Sequence, residues 1–288
     1  MRKILFLGDS FTWGEGLELY MDKEPFKSMR TQKATDLELE QISNYKDDEV
    51  ESWRRGFRFA GYVDGFETYV QPNNGGNFHR VVEDANLLTK KYNFSKKDII
   101  VIQIPPADRS YFQMNSDSAP KISYDGDGYE LPLYKELSNQ LIQNLLVKKE
   151  VSESLSEIMG YDSVMDMLKN SEDVFDKLAY RNTKLFYYSF VFDLMQRFNV
   201  YFIGPWGKEN YKAFSKCDEF KDKLIPITYN GSKYDSLQSL GDAMVENNQI
   251  FEISEQFKQT SNNHPTLEAH KIIGESINKF LKDELRRT

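Results

Sequence analysis

Two side chains in this chain of 288 residues sit where nucleophilic chemistry would need them, Ser10 and His264. Ser10 lies in Gly8-Asp9-Ser10-Phe11-Thr12-Trp13-Gly14, directly after the apolar run Ile4–Leu7. His264 precedes Pro265 close to the C-terminal end, where the proline stiffens the loop that carries it. Acyl transfer needs a nucleophile, a base that takes its proton, and N–H donors where the oxyanion forms. A serine hydroxyl and an imidazole supply the first two, because imidazole exchanges a proton near neutral pH. His270 is one and a half turns further on and reads as a packed or capping residue, and His79 as a helix-surface residue.

These residues need elements to hold them. Ile4–Leu7 lacks polar alternation, as expected of a parallel strand covered on both faces, and it opens straight onto Gly8. In open α/β sheets that carboxyl edge is where ligands bind. Further strands are predicted at Phe66–Val70, Asp98–Ile104, Asn199–Trp206 and, fifth, Asn248–Ile253. Helices are predicted over Val50–Tyr62, from Asn77 through Leu88, over Asp176–Phe198 and Asp235–Glu246, and from Leu267 to Leu285. Val81, Val82, Ala85, Leu87 and Leu88 would form the apolar side of the second of these, and Ile272, Ile273, Ile277, Phe280 and Leu281 that of the last. The alternation predicts a parallel sheet with helices on both faces. The expected fold is therefore α/β, a three-layer α/β/α sandwich on a five-stranded, mostly parallel, flavodoxin-like sheet. With no linker and no internal repeat, residues 1–288 read as a single domain. Two insertions interrupt it, a polar excursion or lid at about 18–49 and a turn-rich, then helical stretch at about 110–170.

The Gly8–Gly14 stretch resembles the first motif of the SGNH (GDSL-type) hydrolases, and His264-Pro265-Thr266-Leu267-Glu268-Ala269-His270 is similar to their last. The resemblance implies that Ser10 is the nucleophile, that its N–H helps hold the oxyanion, and that His264 is the general base. It also implies an oxyanion-hole glycine after the second strand, for which Gly76, leading into Asn77, is the match. Two positions depart from the family pattern. Ala107 stands where the third motif carries an oxyanion-binding Asn, with Arg109 or Gln103 as candidate substitutes. Loss of one such donor typically costs about 2.7–4 kcal/mol of barrier. Ser261 stands three residues before the histidine, where the family has an Asp, leaving Asn262 or a backbone carbonyl to hold the imidazole. The implied activity is a serine esterase that removes an acetyl or short acyl group from a carbohydrate or lipid. The alternative is a catalytically impaired domain of the same plan that binds a glycan or a protein.

Composition narrows the field further. The net charge of −8 and a pI near 5.2 argue against a nucleic-acid partner, although Trp53-Arg54-Arg55-Gly56-Phe57-Arg58 is a local basic patch. Three histidines and one cysteine without close clustering predict no metal site and no cofactor. Cys217 is expected to be a structural thiol. Mean hydropathy is −0.62, and no apolar run reaches the roughly 18 residues of a membrane span. Arg2 and Lys3 before so short an apolar run make a poor secretory signal, so the expected location is cytoplasmic. The expected partner is a small-molecule or glycan ester substrate; the sequence sets no oligomeric state.

Overall fold

A computed structural model describes residues 1–30, 47–72, 78–105, 180, 183–257 and 264–287. In chain order the strands are β1 (Lys3–Leu7), β2 (Glu67–Val70), β3 (Ile99–Gln103), β4 (Asn199–Ile203), β5 (Ile227–Tyr229) and β6 (Ser232–Tyr234). The helices are α1 (Ser10–Trp13), α2 (Phe26–Met29), α3 (Asp48–Phe57), α4 (Phe78–Lys91), α5 (Phe192–Arg197), α6 (Lys208–Ser215), α7 (Leu237–Glu246), α8 (Ile253–Gln256) and α9 (Leu267–Arg287). A π-turn, Tyr187–Val191, leads into α5.

β1 to β4 form one parallel sheet in the order β2-β1-β3-β4. Central β1 pairs Leu5 with Tyr69 on one side and with Ile100 on the other. Because side chains alternate along a strand, each strand feeds both faces. Ile4, Phe6, Ile99, Val101 and Ile203 pack with Phe59, Leu237, Leu240 and the inner stripe of α9, Ile273, Ile277 and Leu281. Leu5, Leu7, Ile100, Ile102, Val200 and Phe202 pack on the opposite face with Val81, Ala85 and Leu88 of α4 and with Phe190, Val191 and Leu194. Every residue of β3 is buried, which accounts for its apolar run Ile99–Ile102. Each such aliphatic side chain gains roughly 1.5–3 kcal/mol from burial.

Several expectations change. The sheet among the described residues has four strands, not five. Residues 248–253 make only a single antiparallel bridge, Glu252 with Pro265, and the chain turns into α8 at Ile253. Outside β4 the sheet is extended by one parallel bridge, Phe202 with Leu224. The β5–β6 hairpin was not expected, yet its signal is in the text. Asn230 and Gly231 both have positive φ, which matches the two-residue Asn-Gly turn that favours hairpins.

The polar excursion expected from residue 18 is, over residues 18–30, packed structure. Leu19, Met21, Phe26 and Met29 share a buried cluster with Val50 and Ile253. The expected helix over Val50–Tyr62 splits into α3, capped by the Asp47 carboxylate, and a 3-10 turn, Phe59–Tyr62. One expected core position is solvent-facing, Leu87 on α4. The stretch 110–170 and residues 31–46 lie outside the described residues. No described helix is long and apolar enough to cross a membrane.

Candidate active site

β1 ends at Leu7, and the next residues turn sharply at the sheet's carboxyl edge. Asp9 caps α1, its carboxylate accepting the Phe11 N–H at 2.9 Å. Asx side chains favour this position because they satisfy an N–H that the helix start leaves open. Ser10 is therefore the first residue of α1, and by position its N–H has no acceptor within the helix. Gly14 closes the turn with φ of 90° and donates to the Ser10 carbonyl, a conformation that other residues adopt only under strain.

Two glutamines fix the turn from the neighbouring strands. Gln71, just beyond β2, accepts the Gly8 N–H at 2.7 Å and donates to the Asp9 carbonyl at 3.1 Å. Gln103, the last residue of β3, accepts from the Asp9 N–H at 3.1 Å and the Thr12 hydroxyl at 3.2 Å. Its amide donates to the Asp9 carboxylate at 3.2 Å and to the Ile104 carbonyl at 2.9 Å. Both glutamines are buried. A β-carbon on Gly8 would stand 2.3 Å from the Thr12 hydroxyl and 2.7 Å from the Gln103 side-chain oxygen. Only glycine admits this approach.

His264 reaches Ser10 from the far end of the chain. Its Nε2 is 2.6 Å from the Ser10 Oγ, within hydrogen-bond reach for proton transfer. Main-chain bonds hold the histidine's loop against the Phe251–Ile253 segment: the Ile253 N–H donates to the His264 carbonyl, and the Thr266 N–H to the Phe251 carbonyl, both at 2.8 Å. The Phe11 ring meets the imidazole edge-on, with centroids 5.1 Å apart. Ser10 is only 4% exposed, and the His264 side chain 17%, so the dyad opens to solvent mainly through the imidazole.

Glu15 also belongs to this site, and reading the motif alone missed it. Its Oε2 lies 3.2 Å from His264 Nε2, on the nitrogen that faces Ser10. A signal existed: Gly14-Glu15-Gly16 brings the chain back at once after a one-turn helix, so residue 15 must stay near residue 10.

Behind the turn sits a buried ion pair. Arg54 Nε donates to the Glu18 carboxylate at 3.0 Å with both side chains almost fully buried, and the Arg54 guanidinium lies 3.9 Å over the Trp13 ring. Burial holds the Glu18 carboxyl above its ordinary range, against the lowering pull of Arg54. Arg58 donates to the Trp13 carbonyl at 3.3 Å and pairs with Glu51 at 3.4 Å. Burial pushes its guanidinium down to about 10. The basic patch expected around residues 53–58 is therefore largely internal structure.

His270 is buried as well, stacked on Phe59, whose N–H donates to its Nδ1 at 3.2 Å. Burial pushes this imidazole down to about 3, so it is a neutral packing residue. Cys217 is buried, with its thiol pushed up to about 11 by the same cause.

Of the other expected site residues, Gln103 does not face a substrate, because its amide is consumed by Asp9 and Ile104. Gly76, Asn77, Ala107, Arg109, Ser261 and Asn262 lie outside the described residues. Among the described residues, no group of three or more His, Cys, Asp or Glu side chains is placed to hold a metal ion. Comparison with known proteins gives no match to any family model, curated protein or solved structure.

Proposed function

We propose that this protein is a serine acyl hydrolase built on the SGNH plan, with Ser10 as nucleophile and His264 as general base. The observation that carries the reading is the 2.6 Å contact between Ser10 Oγ and His264 Nε2 across 254 positions of sequence. The strand order β2-β1-β3-β4 supports a flavodoxin-like, three-layer arrangement, with Ser10 at the crevice where strand order reverses.

In this mechanism His264 Nε2 takes the hydroxyl proton as Oγ attacks the acyl carbonyl. The Ser10 N–H, at the head of α1, donates to the developing oxyanion, with Gly76 as the proposed second donor. Collapse breaks the ester C–O bond, and the leaving alkoxide takes the proton from Nε2. Water then attacks the acyl-serine through the same nitrogen. The proposed substrate is a small-molecule or glycan ester with an acetyl or short acyl group, and no metal or cofactor takes part.

A fluorophosphonate probe tests this reading. The wild-type chain is expected to label and Ser10→Ala to lose labelling entirely. His264→Ala should slow it by roughly 10^4-fold or more, as removal of a triad member does elsewhere. A folded wild-type chain that does not label would overturn the proposal. That outcome would favour the second reading, a non-catalytic domain of the same plan, which the internally consumed Gln103 amide supports.

A further inference from the structure

The position of Glu15 bears on which esters such a site accepts. An orienting carboxylate ordinarily contacts the imidazole nitrogen remote from the nucleophile. The Glu15 carboxylate instead approaches Nε2, the nitrogen that Ser10 contacts at 2.6 Å, and does so at 3.2 Å. Nε2 is the atom that hands its proton to the leaving group, so the departing oxygen must come within hydrogen-bond distance of it. A carboxylate beside Nε2 therefore stands beside the leaving group too. Its side chain is 18% exposed, so it is neither sealed in the core nor fully screened by water.

We infer that Glu15 is a specificity-determining residue that selects the leaving group by charge, favouring esters of cationic alcohols over esters of anionic ones. This inference rests on the acyl-hydrolase reading above. At separations of several ångströms near a protein surface, one unit charge changes an interaction by a few kcal/mol before salt screening. The effect is opposite in sign for a positive and a negative leaving group. The acyl portion, bonded to Oγ and oriented by the oxyanion donors, is left to other contacts.

Three phosphonate thioesters with the same phosphonyl group test the inference without knowledge of the natural substrate. Their leaving groups are thiocholine, its uncharged carbon isostere, and 2-mercaptoethanesulfonate. In each case the Oγ–P bond forms as the P–S bond breaks, and the departing thiolate can take the proton that Nε2 received from Ser10. The readout is the second-order rate constant for labelling of Ser10. Wild type should react in the order cationic, neutral, anionic. Glu15→Gln, which keeps size and hydrogen bonding but removes the charge, should shrink the cationic-to-anionic ratio by roughly tenfold. A Glu15→Gln chain that melts like wild type but keeps the ratio within twofold would overturn the inference while leaving the dyad intact. Equal wild-type rates for all three probes would overturn it in the same way. Failure of every probe to label wild-type Ser10 would overturn the acyl-hydrolase reading, and this inference with it.

Discussion

The two halves of the dyad are held by different physics. On the serine side, buried side chains do the holding: Gln71 and Gln103 clamp the main chain around Asp9, and the Arg54–Glu18 pair lies behind Trp13. On the histidine side, main-chain bonds lead: Ile253 donates to the His264 carbonyl and Thr266 to the Phe251 carbonyl, with the Thr266 hydroxyl, donating to the Ile250 carbonyl, added from a side chain of the loop. Side-chain clamps are specific and fragile, because deleting one partner leaves the other buried and unsatisfied. Main-chain clamps tolerate substitution, since every residue but proline carries the same groups. The serine side should therefore be the more sensitive of the two to mutation.

The hardest blow to that contrast should come from Arg54→Met. It strands the Glu18 carboxylate in the core and is expected to cost about 3–5 kcal/mol at neutral pH, read by denaturant unfolding. The pH dependence has a defined sign. Burial already raises the Glu18 carboxyl, and the variant loses the cation that pulls it down, so its folded state binds a proton that the unfolded chain releases. Stability then falls as pH rises above the ordinary carboxylate range, and the penalty should shrink on acidification toward pH 4.5, the ordinary value for Glu. A penalty independent of pH would mean that the charge of Glu18 does not matter.

Gln103→Ala should come next. It removes the acceptor for the Asp9 N–H and the Thr12 hydroxyl and the donor to the Asp9 carboxylate. A loss of about 2–3 kcal/mol is expected, with a slower reaction of Ser10 toward the fluorophosphonate probe because the turn loosens. Unchanged stability and labelling would remove the side-chain clamp from the account.

The smallest effect should be on the histidine side, in His270→Asn. Asn can present an oxygen to the Phe59 N–H but gives up the buried ring stacked on Phe59, so about 1–2 kcal/mol should be lost at neutral pH. In the wild type, the ordinary imidazole value of 6.5 falls to about 3 in the fold. The unfolded chain therefore binds a proton that the folded chain refuses, and wild-type stability declines as pH drops below 6.5. The decline approaches about 1.4 kcal/mol per pH unit, and the variant should lack this contribution. Equal acid sensitivity in the two chains would show that His270 does not carry it.

Much of this site could be read from the text because its chemistry is local. The apolar run Ile4–Leu7, the turn Gly8-Asp9-Ser10 and the His264-Pro265 pair each act within a few residues. Their types placed Ser10 at a strand's carboxyl edge, and the resemblance of the His264-Pro265 run to the last SGNH motif singled out His264 as its partner. The core stripes of β3 and α9 were legible for the same reason, through burial pattern and helical period. The sequence misled where polar residues are buried in pairs. Glu18, Arg54 and Arg58 read as solvated charge, because burial of an ion pair depends on partners 36 positions apart or on a distant carbonyl.

By itself, the sequence determined a parallel α/β chain with a serine at one strand end and a histidine before the last helix. Tertiary structure alone decided that these two meet at 2.6 Å. It also turned Gln103 inward as a clamp rather than outward as an oxyanion donor. It withheld the fifth strand from residues 248–253 and used the Glu252–Pro265 bridge to hold the histidine's loop instead. Finally, it brought the Glu15 carboxylate to the His264 nitrogen that faces Ser10. The physical reason is common to all four. Strand propensity and side-chain type are properties of a short stretch, whereas a hydrogen bond or a charge contact is settled by the two or three segments that converge on it.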